Sequence, residues 1–160
     1  LATPATFQGE LYASVLERFA NGVQVLQDTC PGLVGQIEGG SLDGDETRAI
    51  LENALRPMLE RGIDTVVLGC THYPFVIPLI KQIAGETVRV IDPAPAVAKQ
   101  AQRLLDASGM KSSAGESAQV RFFTSGDVNT FQHLLPKLLV ESGEVKQVIW
   151  LSDMEIKLAV

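Results

Sequence analysis

Apolar positions Leu11, Val15, Leu16 and Phe19 recur at helical spacing and predict a first helix over about residues 9–20, with Thr6 or Phe7 onwards forming the turn into it. Val23 to Leu26 reads as a short strand. After Cys30-Pro31, the positions Leu33, Val34 and Ile37 make one face of a short helix that Gly39-Gly40 stops. The strongest stripe is Ile50, Leu51, Leu55, Met58 and Leu59, opened by a capping Asp43 or Asp45 and closed by Arg61-Gly62, a basic last turn with a glycine behind it. A strand from Thr65 to Gly69 follows. Its unbroken Val66-Val67-Leu68 is the pattern of a central strand buried on both faces. Next come a helix from about Pro74 to Ile83, a strand from Val88 to Ile91, and a helix from about Ala94 to Ala107 carrying Val97, Ala101, Leu104 and Leu105. Residues 109–118 are small and polar and read as an exposed loop. Val120 to Phe123 is then a strand, Val128 to Leu139 a helix and Val145 to Leu151 a last strand, with no pattern in the tail after Ser152.

Strands alternating with helices imply an α/β fold, a parallel sheet with flanking helices and right-handed crossovers. In such sheets the carboxyl ends of the strands are where ligands bind. The strand from Thr65 opens there onto Cys70, Thr71 and His72, with Gly69 as the residue that lets the chain turn and Pro74 in the first turn of the next helix. A thiol beside a helix N-terminus is placed to ionise.

Composition narrows the chemistry. At 160 residues, 46% hydrophobic and 20% charged, the chain is one ordinary soluble globular domain, and no apolar stretch reaches the length of a membrane span. The net charge of −6 comes from 19 acidic and 13 basic residues with no Lys/Arg cluster, which argues against a nucleic-acid partner. The N-terminal Leu-Ala-Thr-Pro-Ala-Thr lacks a signal-peptide layout, so a cytosolic, cytoplasmic enzyme or subunit is expected; Leu1 in place of an initiator methionine suggests a chain that starts mid-fold. Cys30 and Cys70 lack CxxC spacing and read as reduced thiols. Cys70 and His72 alone make no metal site, and no phosphate-binding glycine loop or dinucleotide fingerprint occurs.

The string Gly69-Cys70-Thr71-His72-Tyr73-Pro74 resembles the second cysteine motif of glutamate racemases, members of the cofactor-independent aspartate/glutamate racemase superfamily. Supporting matches are Leu1-Ala2-Thr3-Pro4-Ala5-Thr6, Cys30-Pro31-Gly32-Leu33-Val34, Ile37-Glu38-Gly39-Gly40, Ile91-Asp92-Pro93 and Thr124-Ser125-Gly126-Asp127. The resemblance implies two similar α/β lobes facing across a cleft, each contributing one catalytic cysteine. Residues 1–90 then look like the second lobe, carrying Cys70-Thr71-His72, and residues 91–160 like a segment returning to complete the first. The rest of that first lobe, with a cysteine followed by Asn-Thr, has no counterpart here. The implied activity is interconversion of L- and D-glutamate for peptidoglycan, without cofactor or metal. Its partner is the small-molecule substrate, with a homodimer left open.

Racemisation needs one group to remove the α-proton and another to deliver a proton to the opposite face, and two thiols suit that pairing. Cys70 is the candidate base. His72 would protonate the thiol or hold the thiolate, and Glu38 would orient the imidazole. Thr71 offers a hydroxyl and an N–H to a substrate carboxylate, with Thr6 contributing from the neighbouring loop. Each has a plainer rival. Cysteine is often simply buried, His72 could cap the loop through a backbone carbonyl, a glutamate before Gly-Gly is ordinarily solvated, and Thr6 could be an N-cap. Cys30, followed by Pro-Gly, matches a packing position beside the cleft rather than the second catalyst. Asp92 before Pro and Asp127 opening a helix read as turn and cap residues. Competing functions are aspartate or another amino-acid racemase of the same superfamily, an inert α/β binding module, and a thiol hydrolase using Cys70 and His72.

Overall fold

The computed structural model describes residues 1–112, 120–139, 143–152 and 154–159. They form two compact units, Leu1–Lys111 and Ser112–Val160. In the first, the helix expected over 9–20 is two helices, α1 (Pro4–Gln8) and α2 (Glu10–Phe19). Pro4 pre-sets the first turn earlier than periodicity suggested, and Gly9, extended at φ −76° and ψ 138°, interrupts the helical run. The Phe7 and Tyr12 rings meet edge-on across the break. Val23 to Leu26 forms no strand. A strand exists only through its ladder, and the bond from the Ala2 N–H falls two residues beyond, on the Asp28 carbonyl.

Helices α3 (Leu33–Glu38) and α4 (Asp45–Glu60) lie where their stripes predicted. Gly44 rather than an aspartate is the N-cap of α4; Asp45 and Glu46 instead occupy its first turn, where negative charge complements the helix dipole. Thr47, Leu51, Ala54 and Leu55 form the buried face, and the Thr47 hydroxyl donates to the Ser41 carbonyl. Past the end, Gly62 takes φ +74°.

Strand β1 (Thr65–Val67) pairs in parallel with β2 (Arg89–Ile91), Val66 opposite Val90. On the other side Leu1 and Ala2 lie alongside β1: Ala2 bridges Gly69 in parallel, and the Gly69 N–H donates to the Leu1 carbonyl at 2.8 Å. Val66 and Leu68 are buried while Val67 is 51% exposed, so β1 is covered on one face rather than two. The helix expected from Pro74 is a 3₁₀ turn, Tyr73–Val76, followed by α5 (Ile77–Ala84). Pro78 has no N–H to reach the Pro74 carbonyl, which takes the shorter bond from Ile77 instead. Helix α6 (Ala94–Ala107) closes the unit's sequence; the 113–118 part of the predicted loop lies outside the described residues.

In the second unit β3 (Phe122–Thr124) runs parallel to β4 (Val145–Ser152), joined through α7 (Val128–Leu138). Asp127 caps α7 by accepting from the Thr130 N–H, and Phe131 packs edge-on against Phe122. An antiparallel strand, β5 (Glu155–Leu158), pairs with β4 where the tail was expected to carry no pattern; its four-residue Glu-Ile-Lys-Leu alternation is too short to mark a strand without that partner. The architecture is α/β with parallel pairs and flanking helices. No helix among the described residues is long and apolar enough to cross a membrane.

Candidate active site

Cys70 follows Gly69 at the carboxyl end of β1, half-buried and free of any disulfide. Because Ala2 is in register with Gly69, the next residue of that segment, Thr3, reaches the same sheet end as Cys70. Gly69 is needed for closeness rather than for an unusual backbone angle: a Cβ there would stand 3.0 Å from the Ala2 Cβ. The chain bends directly after Gly69, over Cys70 to His72. Thr71, the next residue of the turn, is exposed.

His72 ends the loop, and its Nε2 lies 3.0 Å from Glu38 Oε1. The ring bonds a carboxylate, not the backbone carbonyl of the plainer reading. With Nε2–H donating to Glu38, the neutral imidazole keeps its lone pair on Nδ1, free to take or return a proton. The Glu38 side chain is 60% exposed, so the pair adds little stability and acts through orientation. Thr6 in α1 lies with its Oγ1 3.0 Å from Thr3 Oγ1, so these hydroxyls share a hydrogen bond near the Ala2–Gly69 bridge. Thr3 was not singled out in the sequence, because nothing local shows that it would stand beside Thr6.

Beneath this, Cys30 is buried, with φ 45° and its N–H donating to Asp28 Oδ1 at 2.8 Å. Burial, reinforced by the neighbouring Asp28 carboxylate, pushes its thiol up to about 12, so it packs as a neutral SH. Tyr73 donates from its hydroxyl to the Thr29 carbonyl at 2.8 Å. Asp92 accepts from the Ala94 N–H and Asp127 from Thr130, the turn and cap roles expected of them. No group of three or more His, Cys, Asp or Glu side chains among the described residues could hold a metal ion.

The model of the Asp/Glu/hydantoin racemase family matches residues 1–101, more than half of the chain. The chain belongs to the Asp/Glu/hydantoin racemase family. Among curated members, it is 41% identical over 150 residues to a glutamate racemase of Roseiflexus sp. (strain RS-1), covering 93% of this chain and 55% of that protein. It is 47% identical over 138 residues to one of Pseudomonas aeruginosa (strain UCBPP-PA14), covering 86% and 52%. Of solved structures, the RacE1 isoform from Bacillus anthracis superposes with a TM-score of 0.77 at 30% identity, covering 90% of this chain and 54% of that one. The Francisella tularensis SCHU S4 glutamate racemase in complex with D-glutamate superposes with the same score at 26% identity, covering 92% and 55%. The chain thus spans about half the length of the curated relatives it matches. Among known members of this racemase family it keeps the α/β fold on both sides of the cysteine motif.

Proposed function

We propose that this chain is the Cys70-bearing part of a glutamate racemase, residues 1–90 forming the second lobe and 91–160 the segment that returns to the first. Cys70 acts as one of two acid/base groups on the substrate Cα, the other coming from a cysteine outside these 160 residues. As a thiolate it takes the α-proton, and as a thiol it gives one back. His72 exchanges that proton with the Cys70 thiol through Nδ1 while Glu38 holds Nε2; Thr71 and Thr6 receive the substrate carboxylate. The product serves peptidoglycan synthesis. The observation that carries this reading is the His72–Glu38 contact of 3.0 Å, two residues from a half-buried thiol at a strand's carboxyl end, in a chain of this family.

The test is to incubate L-glutamate in D₂O, without added cofactor, with the full-length chain. Deuterium enters Cα, D-glutamate accumulates, and Cys70→Ala stops both. Turnover retained by Cys70→Ala removes this thiol from the mechanism. Aspartate turning over faster than glutamate selects the related racemase. The 160-residue chain alone racemises negligibly; a well-folded, active monomer of this length would defeat the two-lobe reading.

A further inference from the structure

Tyr73 is the one polar residue of the motif to which the proton-transfer scheme gives no part, yet it is the largest fully buried side chain among the described residues. A phenylalanine would fill the same space, so the hydroxyl has to be explained separately. It donates to the Thr29 carbonyl across 44 positions of sequence. Immediately beyond Thr29, Cys30 holds a left-handed φ of 45°, a conformation that is strained for a non-glycine residue and persists only where its surroundings support it. Two groups hold the peptide that leads into it: the Asp28 carboxylate accepts from the Cys30 N–H and the Tyr73 hydroxyl donates to the Thr29 carbonyl.

This turn launches α3. The Cys30 carbonyl accepts from the Leu33 N–H at 3.1 Å, and Gly32, at φ 88°, is the N-cap of the helix whose last residue is Glu38. On the other segment Tyr73 begins the 3₁₀ turn directly after His72, whose carbonyl accepts from the Phe75 N–H at 3.1 Å. The two partners of the His72–Glu38 contact therefore sit on segments that the part-buried Tyr73–Thr29 hydrogen bond also ties together.

We propose that the Tyr73 hydroxyl is a positioning group: by holding the His72 turn against the Asp28–Gly32 turn it sets the His72–Glu38 contact, and with it the orientation of the imidazole that serves Cys70. Burial, with Cys30, Cys70 and Asp28 nearby, holds the phenol above its ordinary pKa, so the O–H remains a donor at all working pH values. The catalytic consequence rests on the racemase reading; the structural coupling does not.

Tyr73→Phe tests both in the full-length chain, with Glu38→Gln as the companion. The His72 ring ¹H and ¹⁵N signals should move in Tyr73→Phe toward their positions in Glu38→Gln, with the double variant adding little further. Racemase kcat should fall about tenfold or more while KM stays within about twofold, since the loss is of alignment rather than of substrate contact. Ring signals that stay at wild-type positions in Tyr73→Phe, whatever its melting temperature, overturn the proposal, as do effects of the two substitutions that are independent and additive. A wild-type chain without racemase activity overturns the functional reading instead and leaves the ring signals to judge the clamp.

Discussion

At the scale of single residues, the candidate site is built from groups whose contacts lie far away in sequence. Gly69 has an ordinary backbone and is required by its neighbour, Ala2, so Gly69→Ala should destabilise the fold by about 1–3 kcal/mol in thermal or urea unfolding through overpacking. An unchanged midpoint would show that the Ala2 segment moves aside freely. Cys30 makes stability depend on alkaline pH. Its folded thiol, near 12, stays protonated while the unfolded one ionises from 9.0, so the unfolded chain binds fewer protons and stability falls as pH rises across that interval. Tyr73 adds a loss of the same sign starting from 10.0. Denaturation midpoints followed from pH 8 upward should therefore decline, and Cys30→Ala should remove the earliest part of the decline relative to neutral pH. Cys70, Thr71 and His72 were legible as a candidate site because strand, glycine and polar turn are contiguous. The Glu38 partnership with His72 came from resemblance, and the Asp28, Thr29 and Tyr73 support was unreadable, because nothing local records which carbonyl a buried hydroxyl will find.

Among the elements, legibility tracks how much of the stabilisation is internal. Helix α4 announced itself through a long stripe, and that stripe is energetically real. Leu55, fully buried, should cost about 2–5 kcal/mol on replacement by alanine, while Arg56→Ala, which breaks only the exposed Glu52–Arg56 pair, should change stability by less than about 0.5 kcal/mol. Equal effects of the two in urea unfolding would contradict the assigned face. Elements decided by one or two residues were misread: Gly9 divides a helix, and Pro78 tightens the turn after His72 into a 3₁₀ form. Val23 to Leu26 has strand-forming residues but no ladder partner among the described residues, and propensity alone makes no strand.

On the scale of the whole chain, both units leave apolar side chains open: Leu11, Phe19, Val97 and Leu104 in the first, Trp150, Met154 and Ile156 in the second. Such surface is the usual mark of an unmade interface. Trp150, the chain's one tryptophan and 62% exposed, should emit near the wavelength of the free indole in water and shift little on unfolding in urea; a strongly blue-shifted native spectrum would mean that its face is covered. Strands β1 to β4, the helices from α3 onward, the contiguous candidate turn and the family resemblance were legible in the sequence, since local periodicity and a contiguous motif carry them, whereas the break at Gly9 and strand β5 were not. What tertiary structure alone decided is which distant groups meet: Ala2 against Gly69, Glu38 against His72, Tyr73 against Thr29. Those meetings depend on how separate segments pack in three dimensions. Side-chain patterns along the chain state which face is buried, and only the folded backbone states against what.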